Sequence, residues 1–299
     1  MKPPILVTGA TGNVGAPLVE ALRAEGAAVR PASRGNRDPE GVSFDFADPA
    51  TWEAAFDGVR SMFLIRPPQV ADVRTGLMPA VEHARSRGLR HVVLLSVQGA
   101  GRVPVLPHAG AERWLRTCGL SWTFVRPSYF DQNLVTVFAP DIRDRDEIVV
   151  PAGHGRTAFV DAHDVAAVAA AALLDPLRHS GRIWTPTSDE SLTYEQVAVV
   201  LSGVLGRTIT YRRPSIPGYL RHARTVLGFD PAMTAATALI HATARLGVAG
   251  HLTDDVRAVT GRAPRTLREF ALRERTVWER PTAEAAVETA AEIRDGNAP

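Results

Sequence analysis

Lysine is almost missing from this chain of 299 residues: among 34 basic side chains the only lysine is Lys2. It precedes the first strand, so no lysine stands along any helix that would carry catalysis. Cysteine is as scarce. Cys118 stands alone and cannot close an internal disulfide, which fits a reducing cytoplasm, and its place near a helix end reads as packing. No apolar run is long enough to span a bilayer, which argues against a helical membrane anchor. The N-terminus runs directly into a strand, with no signal-peptide pattern. Net charge is only +2, with arginines scattered instead of clustered, so no nucleic-acid surface is expected. What is left is an ordinary soluble composition, 45% hydrophobic and 22% charged. The length suits one large domain or a core with a smaller annex. The expected partner is a small-molecule substrate, and the oligomeric state stays open.

What is present begins at the front. Ile5-Leu6-Val7 is a short apolar run of the kind that forms a buried strand. It leads into Thr8-Gly9-Ala10-Thr11-Gly12-Asn13-Val14-Gly15, and the apolar spacing from Val14 to Leu22 reads as a helix. Strand, glycine-rich turn and helix in this order make a dinucleotide pyrophosphate site, because the free N–H groups and dipole of the helix start face the anion. Gly9 takes the backbone angles of a tight turn, Gly12 lets the chain approach a phosphate, and Gly15 lets the helix pack near the strand. Thr11, Asn13 and Val14 complete the expected contact set.

A second strand, residues 28–33, is followed by Ser33, Arg34 and Arg37. An acidic residue at this point would hydrogen-bond the ribose of NAD, and none is present. The planar fork of an arginine suits the 2′-phosphate of NADP. Arg34 is the main candidate, with Ser33 and Arg37 assisting. A solvated basic loop is the alternative reading.

Strands and helices then alternate: a strand over 42–46, a helix from Asp48 to about Phe56, and a strand over 61–65. A long amphipathic helix over 70–87 follows, then a strand over 91–95, a helix over 108–118 and a strand over 121–126. Repeated βαβ units predict an α/β fold, a Rossmann-type doubly wound parallel sheet. Past residue 130 the pattern loosens. A strand over 157–160, a helix from Asp161 to Leu174 and a capping box at Thr193 and Gln196 stand out. Residues 1–135 are expected to form the nucleotide-binding core, with 145–186 returning to it. Residues 187–279 are expected to form a smaller, mostly helical substrate lobe over the carboxyl edge of the sheet. Residues 280–299, rich in alanine and glutamate, read as a flexible tail.

These motifs together resemble the NmrA-like group of atypical short-chain dehydrogenases/reductases, which includes NADPH:quinone reductase-like proteins. The stretches that carry the likeness are 8–15, 111–127, 130–134 and 159–166. The resemblance implies a Rossmann core, NADP(H) as cofactor and a substrate cleft under the C-terminal lobe. It implies further cofactor contacts at Asp45 and Phe46, on the adenine side, at Leu64, Ile65 and Arg66, and at Tyr129. For the apolar ones core packing is the alternative.

The departure from the family's wider superfamily lies in its Tyr-x-x-x-Lys pair, in which tyrosine moves the proton and lysine lowers its pKa. Aligned on Glu112 and Leu115, the tyrosine position holds Pro104 and the lysine position holds His108. His108 is the candidate general acid, since imidazole titrates in the right range; a ribose hydrogen bond and helix capping are the alternatives. Ser96 is a candidate for orienting a substrate carbonyl, and His154 and His163 are secondary candidates. No metal site is expected. Hydride transfer to an acceptor that carries its own electrophilicity tolerates a missing tyrosine better than alcohol oxidation does. The favoured activity is therefore an NADPH-dependent reductase of a small, mostly apolar activated acceptor: a quinone, enone or imine. A non-catalytic NADP(H)-sensing regulator that binds a protein partner is the alternative, and a redox-neutral isomerase or cyclase is a third.

Overall fold

The computed structural model describes residues 3–70 and 72–280. Lys2 and the tail expected beyond Arg280 lie outside the described residues. The first elements in chain order are β1 (Ile5–Thr8), α1 (Gly15–Ala24), β2 (Val29–Ser33), β3 (Val42–Ser43), α2 (Trp52–Phe56), β4 (Ser61–Ile65), α3 (Val73–Gly76) and α4 (Met78–Ser86). Next come β5 (His91–Leu95), α5 (Pro107–Leu115), β6 (Ser121–Val125), β7 (Tyr129–Phe130), α6 (Asn133–Thr136), α7 (Ala139–Arg145), β8 (Glu147–Val149), β9 (Arg156–Val160) and α8 (Ala162–Leu174). The remainder are α9 (Pro176–His179), β10 (Arg182–Trp184), β11 (Ser191–Thr193), α10 (Tyr194–Leu205), β12 (Thr210–Arg212), α11 (Ile216–Thr225), α12 (Pro231–Arg245), α13 (Asp255–Thr260) and α14 (Leu267–Arg273).

The chain divides into two compact units. Among the described residues, one gathers those up to Gln132 with Thr157–Ser191 and His251–Thr266; the other gathers Asn133–Arg156, Leu192–Gly250 and those from Leu267 to Arg280. The first unit is built on seven parallel strands in the order β10-β6-β5-β4-β1-β2-β3. Alternate side chains along each strand point to opposite faces. Ile5, Val7, Phe63, Val93 and Val125 share one core with Leu18 and Leu22 of α1 and Val165 and Val168 of α8. Leu6, Met62, Leu64, Val92, Leu94 and Phe124 share the other core with Phe56, Val81 and Leu115. Between β1 and β4 the strand order reverses, which opens a crevice at their carboxyl ends.

Three expected elements differ. The helix expected over 70–87 is two, α3 and α4, meeting at Leu77, because Pro79 in the first turn of α4 has no N–H to continue the ladder. The strand expected over 42–46 stops at Ser43. Asp45 folds back there, its carboxylate accepting the N–H of Ala47 and its carbonyl that of the Trp52 indole. The helix expected over 108–118 ends at Leu115, ahead of Gly119 at φ 82°.

In the second unit β8 and β12 pair in parallel, so residues 147–149 cluster there and not with the main sheet. Thr193 and Gln196 form the expected capping box on α10. Trp278 is fully buried and its indole donates to the Leu134 carbonyl at 3.0 Å.

Candidate active site

At the switch point Thr8 is wholly buried. Its hydroxyl donates to the Phe63 carbonyl at 2.9 Å and accepts from the Ile65 N–H at 3.0 Å. This one side chain ties the end of β1 to the end of β4 and fixes where the turn begins.

The three glycines then serve different needs. Gly9 has φ +64°, and a Cβ there would lie 2.6 Å from Ile65 Cγ2. A Cβ on Gly15 would lie 2.0 Å from the Gly9 carbonyl oxygen. Both positions are closed by the fold itself. A Cβ on Gly12 would meet only the Gly9 oxygen, at 3.3 Å. Space is open beside Gly12, and a main chain stripped to glycine there leaves that space to a ligand. The first turn of α1 has no side-chain cap: Val14 is its N-cap residue and supplies no acceptor. Thr11 and Asn13 are exposed beside it. Ala16 N–H donates to the Gly12 carbonyl at 3.0 Å and Pro17 has none, so it is the open space and the close main chain leading into the helix that fit a phosphate.

At the end of β2 the Ser33 hydroxyl is buried without a hydrogen-bond partner among the described residues. Arg34 and Arg37 are exposed, and neither guanidinium pairs with a described carboxylate. An orphaned hydroxyl followed in the chain by two exposed, unpaired arginines is of the chemistry that would suit a second phosphate.

Other expected contacts are less open. Phe46 is buried, its ring edge-on to Phe44 at 4.7 Å. Leu64 is 0% exposed and packed in the sheet core beside Phe56 and Val81. Strand alternation thus corrects the expectation for Leu64: its side chain points to the face opposite the turn. Ile65, one residue on, lies on the turn's face, against Gly9. Tyr129 is half-buried, edge-on to Phe159.

Around the end of β5 the expected roles shift. Ser96 is 2% exposed and its hydroxyl donates to Glu112 Oε1 at 2.6 Å. Glu112, itself 3% exposed, also accepts from Arg126 Nε at 2.8 Å and from Arg126 Nη2 at 2.5 Å. The single proton of Ser96 is therefore committed inside the protein, which corrects its expected role as a donor to a substrate carbonyl. Sequence reasoning missed Glu112 and Arg126. The available signal was an acid four residues after His108, facing the arginine that follows β6.

His108 sits in the first turn of α5, whose N-cap residue is Leu106 with no side-chain cap, so His108 does not cap its helix. Its ring makes no hydrogen bond among the described residues. Burial pushes its pKa down to about 4; the nearby Arg66 charge pushes the same way and Glu112 opposes. Burial therefore argues against an acid titrating near neutrality at this position. Arg66 stands close by, at the end of β4.

The secondary candidates fall elsewhere. His163 contacts Asp161, which caps α8 by accepting the His163 N–H at 3.0 Å. Asp164, in the first turn of α8, is buried and ion-paired to Arg265. His154 belongs to the second unit, exposed and against Arg213.

The parallel sheet, its switch point and the glycine turn define a Rossmann-type nucleotide-binding fold. The chain belongs to the NmrA-like family, whose model matches residues 1–222. It is 32% identical over 284 residues to a protein of Xenophilus azovorans named NAD(P)H azoreductase, covering 89% of this chain and 96% of the relative. The triphenylmethane reductase of Citrobacter sp., crystallised with NADP(H), shares the fold at TM-score 0.78 and 23% identity, over 91% of this chain and 99% of that one. NmrA, described as a negative transcriptional regulator and crystallised with NADP, shares it at TM-score 0.70 and 20% identity, over 91% of this chain and 94% of that one. No helix among the described residues is long and apolar enough to cross a membrane.

Proposed function

We propose that this protein is an NADPH-dependent reductase of a small, mostly apolar acceptor that is already electrophilic, such as a quinone, enone or imine. The observation that carries the reading is His108: an imidazole with no internal hydrogen-bond partner, held neutral, at the start of α5. The relative named an NAD(P)H azoreductase supports the reductase class.

The site fits the cofactor. The Gly9–Gly15 turn and the start of α1 would hold the pyrophosphate, and Ser33, Arg34 and Arg37 would hold the 2′-phosphate. Ile65, Tyr129 and the backbone around Asp45 and Phe46 line its remainder. When bound, NADPH supplies a hydride. His108 donates a neutral N–H to the acceptor oxygen or nitrogen where negative charge develops, a contribution that needs position more than acidity. The Ser96–Glu112–Arg126 cluster holds α5 against the ends of β5 and β6 and so positions His108.

NADPH consumption is measured with a panel of quinones, enones and imines. At least one acceptor class is expected to accelerate it well above the rate without protein. Arg34→Ser is expected to weaken NADPH binding about tenfold and to leave NADH nearly unchanged, the cost of one charge-assisted phosphate contact. The absence of any Tyr-x-x-x-Lys pair favours a second reading, a sensor that binds NADP(H) without turnover. Silence from every acceptor, together with unequal affinities for oxidised and reduced cofactor, would replace the first reading with the second.

A further inference from the structure

Arg66, which the resemblance sets among the cofactor contacts, is a cation near this site that neither proposed phosphate position needs. It follows β4 at the mouth of the crevice. Its Nη1 donates to the carbonyls of Pro67 at 3.0 Å, Pro68 at 3.2 Å and Val70 at 2.7 Å, which fixes the side chain over the 67–70 loop. Its Nε is buried with no hydrogen-bond partner among the described residues. No described carboxylate meets its charge, although Arg126 grips Glu112 and Arg207 grips Asp146. Burial alone disfavours the charge. A half-buried cation held by carbonyls, with one donor still unsatisfied, keeps the capacity to take an anion. The cofactor phosphates already have donors of their own, at the α1 turn and beside Arg34. Arg66 lies instead beside His108, near enough for its charge to disfavour protonation of that ring.

We propose that Arg66 recognises an anionic substituent on the acceptor, a carboxylate, sulfonate or phosphate, and so selects acceptors that carry one next to the group His108 engages. The inference rests on the reductase reading, and it narrows the acceptor class to anionic aromatic or conjugated compounds.

The test pairs 1,2-naphthoquinone with its 4-sulfonate. The wild-type protein is expected to favour the sulfonate about tenfold in kcat/KM. R66Q should abolish that preference, losing about tenfold on the sulfonate and less than about twofold on the parent quinone, with R66K in between. A second arm needs no turnover: binding of naphthalene-2-sulfonate to protein loaded with NADP+ should weaken about tenfold in R66Q. Equal losses on both quinones, or equal sulfonate binding by wild type and R66Q, would overturn the proposal. A tenfold rise in the NADPH Kd of R66Q would also overturn it, assigning Arg66 to a cofactor phosphate. If the wild-type protein reduces neither quinone, the quinone class drops out of the reductase reading, and the sulfonate-binding arm still decides Arg66.

Discussion

The β1–α1 turn and the start of α5 belong to the same unit but present different kinds of chemistry. At the turn the proposed phosphate contacts are main-chain N–H donors, and the side chains that matter are the ones left out: glycine at 9, 12 and 15. At α5 the groups are side chains that hold one another, Ser96 on Glu112 and Glu112 on Arg126, with His108 uncommitted beside them. A backbone site is encoded locally in a run of eight residues. A side-chain site is assembled from two strand ends and one helix, and its members acquire roles only when the chain is folded.

The contrast between the glycines is open to a direct break. Gly15→Ala places a Cβ 2.0 Å from the Gly9 oxygen and must displace backbone, so a loss of about 3 kcal/mol or more in stability is expected. Gly12→Ala should melt close to the wild-type temperature while weakening NADPH binding about tenfold. Thermal unfolding and cofactor titration of the two variants separate these effects. If Gly12→Ala unfolds as early as Gly15→Ala, the open space at Gly12 is structural and not a ligand's.

The side-chain cluster is broken next. Glu112→Ala leaves Arg126, 15% exposed at its side chain, without its carboxylate, and a loss of about 2–4 kcal/mol is expected by urea unfolding. Ser96→Ala removes one donor to that carboxylate and should cost about 1 kcal/mol with turnover kept within about threefold. A large loss of turnover in Ser96→Ala at unchanged stability would return Ser96 to the acceptor.

Much of this was legible in advance because it depends on local pattern. The βαβ alternation, the glycine turn, the Asp161 cap and the Thr193–Gln196 box all follow from neighbours within a few residues. What was not legible depends on register or on distance along the chain. Leu64 and Ile65 look alike in sequence, and only the strand's phase against α1 puts Ile65 on the turn and Leu64 in the core. Pro79 divides a helix whose apolar spacing runs on through it. Ser96 looked free until Glu112, 16 residues later, was seen to accept its proton. His108 looked like a group titrating near pH 7 until burial and the nearby Arg66 charge were counted.

Low pH acts on the same buried imidazoles. His91 and His108 are held near pKa 4 and His241 near 3, each chiefly by burial. Below the ordinary value of 6.5 the unfolded chain binds protons that the folded chain refuses. Stability should therefore be fully present above that value and decline as pH falls toward 4, as followed by unfolding at stepped pH.

On the proposed reductase reading, the acceptor end works through a neutral His108 in place of an ionising acid. That role is tested most directly by the ratio of kcat for the wild-type protein to that for His108→Ala, with a quinone as acceptor, between about pH 5 and 8. The ratio removes the acceptor's own pH dependence. The account predicts a value of about ten or more that stays level across the range. A ratio near one, or a ratio that climbs as pH falls through 6.5, the ordinary histidine value, would contradict it.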